Sequence, residues 1–298
     1  MGGVTEQATG TEGRDTAAEV AVRPLTPRLG AVVEGVDTRR PLDDATAAVV
    51  LDALMAYKVL FFERQELSLD EQRRFAAHFG EPFADPLTPA FDGQAGMSSV
   101  TRVDHFHSDH MHLADPPKFS MLSLTTVPPL GGDTIWADLV AGYEALSEPM
   151  RDFLEGLTAL HVSRDPWDDT DVRYGAFLGH DLADEERAAI RAALVPHAHP
   201  LVRLLPETGK PNYWVCRRFT RAIQELDPAE SDAVLGFLFA HQLRPEFVVR
   251  WRWHAGDLAF WDHRTTVHAG VADYGDAERF GQRASIAGGR PVPARPVR

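Results

Sequence analysis

Eight residues, HFHSDHMH from His105 to His112, carry four histidines and one aspartate. Imidazole nitrogens and carboxylate oxygens are the donors that divalent first-row metals take. If the start of the run is extended, successive side chains alternate faces. His105, His107 and Asp109 then share one face, while His110 and His112 tend to the other. Two donors two residues apart on a strand make a good chelate, because both point one way with little freedom to lose.

Two metals fit this spelling. A zinc hydrolase of the metallo-β-lactamase type would use His105, His107, Asp109 and His110. That arrangement wants a helix after the motif and a distant histidine in a glycine-flanked turn. Here Pro116-Pro117 stops a helix and forces extended backbone before it. The candidate distant histidines, His197 and His199, lie in VPHAHPLVRLLP, which has no such glycines. Iron needs less: His107, Asp109 and one further histidine. Two histidines and one carboxylate on one side of an iron leave the other side open for a cosubstrate and O2. His268, in the strand-like run FWDHRTTVHAG, supplies the third donor. It can reach the first pair only if the sheet folds back on itself, as in a jelly roll.

Ten residues separate His268 from Arg279. A guanidinium grips a carboxylate through two parallel hydrogen bonds, which a lysine cannot do. Such a clamp suits the far end of a dicarboxylate cosubstrate such as 2-oxoglutarate. Thr134, just after Gly131-Gly132-Asp133, offers a hydroxyl to the same carboxylate. The two glycines make the turn that aims it.

These residues must be held by a folded frame. The chain has 298 residues, 44% apolar and 25% charged, enough for a sizeable core. Its formal net charge of −14 argues against nucleic acid as partner, but one or two local arginines still admit a small anionic substrate. A single cysteine, Cys216, excludes an internal disulfide and fits a cytoplasmic setting. No apolar run approaches the roughly 18 residues of a membrane helix. Residues 1–20 read as a disordered tail. LDDATAAVVLDALMAYK and SLDEQRRFAAHFG read as capped helices, VLFF as a buried strand, and KFSMLSLTTVP and DTIWAD as strands around the glycine turn. Residues 163–195 are acidic and aperiodic, a lid-like insert or a passive surface loop. Then come a hairpin over Glu207 to Pro211, a helix at DPAESDAVLGFLFAHQL, and strands through EFVVRWRWHAGDLAFWDHRTTVHAG and RASIAGG. Residues 291–298 read as a loose C-terminus. Helices first and many strands later argue for one α+β domain over 21–290 with a β-sandwich or barrel core.

Taken together, the motifs are similar to the taurine dioxygenase (TauD/TfdA-type) family of Fe(II)- and 2-oxoglutarate-dependent oxygenases. The resemblance rests on FHSD (106–109), ADPPKFSMLSLTTVPPLGGDTIWADLVAGYEALSEPMRDFLEGLTALH (114–161), HPLVRLLPETG (199–209), FLFAHQLRPEFVVRWRWHAGDLAFWDHRTTVHAGVADYG (237–275) and ERFGQRASIAG (278–288). It implies a double-stranded β-helix, or jelly roll, flanked by helices. It implies His107, Asp109 and His268 as iron ligands and catalytic centre, and Thr134 and Arg279 as holders of the far carboxylate of 2-oxoglutarate. Arg283, four residues on, matches the family arginine that meets an anionic substrate group. Of the remaining histidines, His105 is the one placed to face a substrate. His254 and His263, near a strand turn, are either neighbours of the site or merely solvated. Trp251, Trp253 and Trp261 read as core.

The reaction so implied is hydroxylation of a small, anionic substrate by O2, with decarboxylation of 2-oxoglutarate to succinate and CO2. Asp109 matters to the reaction class. Related halogenases replace this carboxylate by a small residue so that chloride can bind. Val103 stands where the taurine enzyme has an asparagine, and FADP (83–86) where it has a histidine, which argues against taurine itself. Cleavage of a sulfonate, an alkyl sulfate or an aryloxy acid fits. So does hydroxylation of an amino acid or a natural-product intermediate. The chain admits a homo-oligomer without specifying one.

Overall fold

In the computed structural model, the residues described are 20–84, 97–100, 105–163 and 195–296, together with 184, 185, 188 and 191. The expected tail and nearly all of the expected insert lie outside them.

Two short strands open the fold, β1 (Ala21–Pro24) and β2 (Ala31–Glu34), before any helix. The sequence reading had placed helices first. These strands are too short and too mixed in polarity to stand out by alternation alone. Helix α1 (Asp44–Tyr57) starts where the Asp43 carboxylate accepts the Thr46 N–H. It stops at Lys58, whose left-handed backbone (φ 64°) returns its N–H to Leu54 O. Strand β3 (Val59–Phe62) follows at once. Helix α2 (Leu69–Ala77) begins in a reciprocal box of Ser68 and Glu71, as its S-x-x-E spelling predicts.

Next come β4 (Met97–Val100), β5 (Phe119–Thr126), β6 (Thr134–Asp138), α3 (Leu139–Glu144), α4 (Glu148–Leu154) and β7 (Thr158–His161). Then β8 (His197–Pro200), β9 (Val202–Leu205) and β10 (Lys210–Tyr213) lead through β11 (Thr220–Ile223) to α5 (Pro228–His241), capped by Asp227 with Glu230. The last strands are β12 (Val248–Trp251), β13 (Leu258–Asp262), β14 (Thr266–Gly270), β15 (Phe280–Ile286) and β16 (Val292–Pro293). The hairpin expected over Glu207 to Pro211 is the β9–β10 pair. Where a loose C-terminus was expected, Val292 and Pro293 instead pair with β9.

One sheet has seven strands in the order β1-β2-β3-β13-β5-β15-β4, antiparallel except for β2–β3. Among the described residues, three sheets of three strands accompany it, one of them β12-β6-β14. Side-chain alternation shows what each face meets. Leu60 and Phe62 of β3, Leu258 and Phe260 of β13, and Phe119 and Met121 of β5 join a core with Leu54 of α1 and Phe75 of α2. Their neighbours Val59, Phe61, Ala259, Trp261, Leu122 and Leu124 face the other way, onto Trp136 of β6 and Val249 and Trp251 of β12. Phe61 stacks on Trp251 with ring centroids 4.0 Å apart. The large sheet and the β12-β6-β14 sheet are thus two layers of a sandwich, with aromatic rings between them. The chain is a mixed α and β fold, and no helix among the described residues is long and apolar enough to cross a membrane.

Strand β15 runs from just after Arg279 through Arg283, so its seating on β5 positions two of the expected site residues. At Gly281 an added Cβ would lie 2.4 Å from Ser123 O and 2.5 Å from Leu124 Cδ2. The first of these is backbone and cannot swing away. Gly281→Ala should therefore destabilise the fold by about 1–3 kcal/mol, read from the urea midpoint. An unchanged midpoint would show that β15 is not seated this tightly.

Candidate metal centre

His107 and His268 face each other as an isolated antiparallel bridge. The His107 N–H donates to His268 O at 2.9 Å, and the His268 N–H to His107 O at 2.7 Å. Directly opposite residues of an antiparallel pair project to the same face. The two imidazoles accordingly lie side by side, with centroids 4.3 Å apart.

Asp109 arrives differently from the sequence reading. The chain is not an extended strand through His105, His107 and Asp109. It turns after Ser108, whose hydroxyl donates to His263 O at 2.8 Å, and His110 takes a left-handed φ of 52°. Few non-glycine residues adopt that conformation, and such backbone clusters at functional sites. The turn brings Asp109 Oδ1 to 3.1 Å from His107 Nε2 and 3.9 Å from His268 Nε2. Nitrogen and oxygen donors of all three side chains lie within 4.8 Å of one another, and all three residues are buried.

The hydrogen bonds set which nitrogen faces inward. His107 Nδ1 lies 2.6 Å from His105 O, and a carbonyl can only accept, so Nδ1 carries the proton and Nε2 presents its lone pair. Burial alone would raise the Asp109 carboxyl pKa. The surrounding groups, the Arg283 guanidinium foremost, together outweigh it and hold that carboxyl well below its usual range. Burial holds His268 well below the usual imidazole value. At neutral pH the cluster presents an ionised carboxylate beside a neutral imidazole, the protonation states that a metal requires. Two imidazoles and one carboxylate, buried and convergent, fit an Fe(II) ion.

A second group lies on the same sheet. Thr134 opens β6 opposite Gly270, and His268 lies opposite Trp136. Period-two alternation puts Thr134 and His268 on one face, roughly 7 Å apart along the strands. Thr134 Oγ1 accepts from Trp253 Nε1 at 2.9 Å and from Arg279 Nη2 at 3.2 Å. Arg279 Nε donates to Gly132 O at 3.0 Å, and the side chain is buried. Gly131 and Gly132 have φ of 74° and 72° and make the expected turn. A Cβ on Gly131 would fall 2.3 Å from Asp273 Oδ1, the atom that accepts the Gly132 N–H at 2.9 Å. The turn is thus pinned to the chain leading into Arg279.

The remaining expectations divide. Arg283, expected at a substrate anion, donates from Nη1 to Asp109 Oδ2 at 2.7 Å. The side chain of His105 is exposed, and the contact it makes with the cluster runs through its carbonyl. Phe106, between His105 and His107, packs against the core built around α3, α5 and β9–β10. The zinc reading does not survive the geometry. His110 stands against Phe83, with ring centroids 5.3 Å apart. His197 and His199 bond instead to the carbonyls of His112 and Leu113, each at 2.9 Å. The residues after Asp109 form turns, not a helix.

Two residues exceed what the sequence assigned them. Trp253, read as core, also bonds to Thr134. His263, left between two readings, is fully buried and touches Asp109. Its place between Trp261-Asp262 and the strand carrying His268 was the available signal.

Comparison with known proteins shows the family. The model of the family described as "Taurine catabolism dioxygenase TauD, TfdA family" matches residues 21–285. An alpha-ketoglutarate-dependent sulfate ester dioxygenase of Pseudomonas putida is 34% identical over 93% of this chain and 92% of its own. The crystal structure of a taurine dioxygenase from Burkholderia xenovorans superposes with a TM-score of 0.79 at 34% identity, covering 92% of this chain and 91% of that one. The crystal structure of AAD-2 in complex with Mn(II) and N-oxalylglycine superposes with a TM-score of 0.76 at 29% identity, covering 92% and 99%.

Burial also sets the response to acid. It pushes His263 down to about 3 and His199 down to about 4, both below the ordinary 6.5. A histidine kept neutral when folded stabilises fully above its unfolded pKa, and that stability is lost as pH falls toward the folded value. Stability should thus fall by roughly 2 kcal/mol or more between about pH 7.5 and pH 5. Urea midpoints at the two pH values measure it. Equal midpoints would mean that these rings are not held neutral in the fold.

Proposed function

The chain belongs to the taurine catabolism dioxygenase TauD, TfdA family, and from that premise we propose which of its residues carry the reaction and on what substrate class. It is an Fe(II)- and 2-oxoglutarate-dependent dioxygenase. Bound iron, with 2-oxoglutarate and O2, supplies hydroxylation of a substrate C–H coupled to decarboxylation of 2-oxoglutarate to succinate and CO2.

In this reading, His107, Asp109 and His268 hold the iron. The convergence of their buried donor atoms within 4.8 Å is the observation that carries the assignment. Thr134 and Arg279 hold the far carboxylate of 2-oxoglutarate. Their burial and their mutual hydrogen bond support it, since a guanidinium can take a carboxylate through two parallel hydrogen bonds. The sandwich of the seven-stranded and β12-β6-β14 sheets forms the double-stranded β-helix, and residues 21–290 form one oxygenase domain.

Arg283 supplies the positive charge at the substrate end, with His105 at the rim. Its side chain is 15% exposed, against 4% for Asp109 behind it, so it alone of this pair presents surface to an incoming anion. Substrates with an anionic head and an adjacent C–H bond suit it: an alkyl sulfate, a sulfonate or an aryloxy acid. The sulfate ester dioxygenase relative supports the alkyl sulfate within that set. Hydroxylation of the carbon bearing the ester oxygen gives a hemiacetal-type product that releases the anion by C–O cleavage.

Anaerobic addition of Fe(II) and 2-oxoglutarate should produce a weak visible charge-transfer band. His268→Ala should abolish it, while a panel of alkyl sulfates and sulfonates should show succinate formed in step with substrate loss. If no band appears and zinc alone supports ester hydrolysis, the assignment fails.

A further inference from the structure

We propose that His263 is a positioning residue for the metal centre, a neutral imidazole that fixes both the backbone and the carboxylate of Asp109. The proposal rests on reading Asp109 as a metal ligand. His263 Nδ1 faces two N–H donors, the Asp109 amide and Trp261 Nε1, each at 3.3 Å. It must therefore be the bare, accepting nitrogen. A neutral ring carries one proton, so that proton sits on Nε2.

Nε2 lies 2.8 Å from Ser120 Oγ, and Ser120 Oγ lies 2.9 Å from Ser285 Oγ. Ser120 and Ser285 are directly paired residues of β5 and β15, so the acceptor is anchored on two strands of the large sheet. The same N–H edge stands 3.4 Å from Asp109 Oδ2, longer than a good hydrogen bond but close enough to orient a carboxylate. The backbone of His263 is held as firmly. Its carbonyl accepts from Ser108 Oγ at 2.8 Å and Trp214 Nε1 at 2.9 Å, and its N–H donates to Lys118 O at 2.9 Å.

The consequence is a division of labour on one carboxylate. Oδ2 accepts from Nη1–H of Arg283 and faces the Nε2–H edge of His263 at 3.4 Å. Oδ1 is left toward His107 and His268. The Asp109 amide, meanwhile, is tied to the ring that sits under its carboxylate. His263 thus sets both where Asp109 starts and which oxygen it turns to the metal. Partners of this kind around metal ligands are commonly worth about 10–100-fold in affinity.

A packing role and a positioning role predict opposite orders for two substitutions. Phenylalanine is close to imidazole in shape but offers no polar edge. Asparagine fills less space, yet its Oδ1 takes the place of Nδ1 as acceptor for the Asp109 amide. Fe(II) affinity of the full chain, measured anaerobically by competition with a chromophoric chelator, should fall about 10–100-fold in His263→Phe. It should fall less in His263→Asn. Thermal melts of each variant run beside it. His263→Phe binding within about threefold of wild type, or binding more tightly than His263→Asn, overturns the proposal. Should His263→Phe not melt cooperatively, His263→Asn decides, and wild-type affinity there overturns it. If wild type itself shows no Fe(II) binding that His107→Ala removes, the metal-centre reading fails first and the proposal with it.

Discussion

Two hydrogen bonds exchanged between His107 and His268 are the constraint on which the site depends. They join a loop near the middle of the chain to a strand near its end. Everything else about the centre follows from their geometry. Directly paired residues share a face, so two imidazoles come together without either needing a long or flexible side chain. Strand β14 then carries that face along the sheet to Thr134 on β6, and the same sheet sets His268 and Thr134 at a fixed interval. A frame of this kind requires the sheet to return on itself, which the two-layer sandwich supplies. The aromatic layer between the sheets, with Phe61 on Trp251 and Trp136 beside His268, makes that return rigid.

The second constraint is electrostatic. A carboxylate as buried as Asp109 would take up a proton unless charge and dipoles opposed it. Arg283 supplies the charge, and the N–H edge of His263 stands against the same carboxylate oxygen. The result is an ionised carboxylate beside His263 and His268, which burial keeps neutral. The arrangement costs stability when it is disturbed, since a buried charge without its partner is strongly destabilising.

Much of this was legible in the chain. Local signals are legible where local physics dominates: the aspartate cap of α1, the Ser68 cap of α2, the all-apolar VLFF, and the glycine turn before Thr134. The donor set was legible because H-x-D, the distant His268 and the spacing to Arg279 constrain one another. Long-range geometry was not. Strands β1 and β2 are short and mixed in polarity, so alternation says little about them. The extended run through Asp109 was a reasonable use of period two, overridden by bonds to residues about 150 positions away, such as Ser108 to His263. The same distance hid Arg283 on Asp109 and Trp253 on Thr134. No local pattern announces which buried histidine will stand behind a carboxylate.

The central claim is that one preformed site holds the metal on His107, Asp109 and His268 and the cosubstrate on Thr134 and Arg279. A crystal structure of the protein grown with Mn(II) and N-oxalylglycine tests it most directly. The account predicts metal density bonded to His107 Nε2, an Asp109 carboxylate oxygen and a His268 imidazole nitrogen, with the far carboxylate of N-oxalylglycine on Arg279 and Thr134. Metal bound through His105, His110 or His112, or N-oxalylglycine anchored away from Arg279, would contradict it.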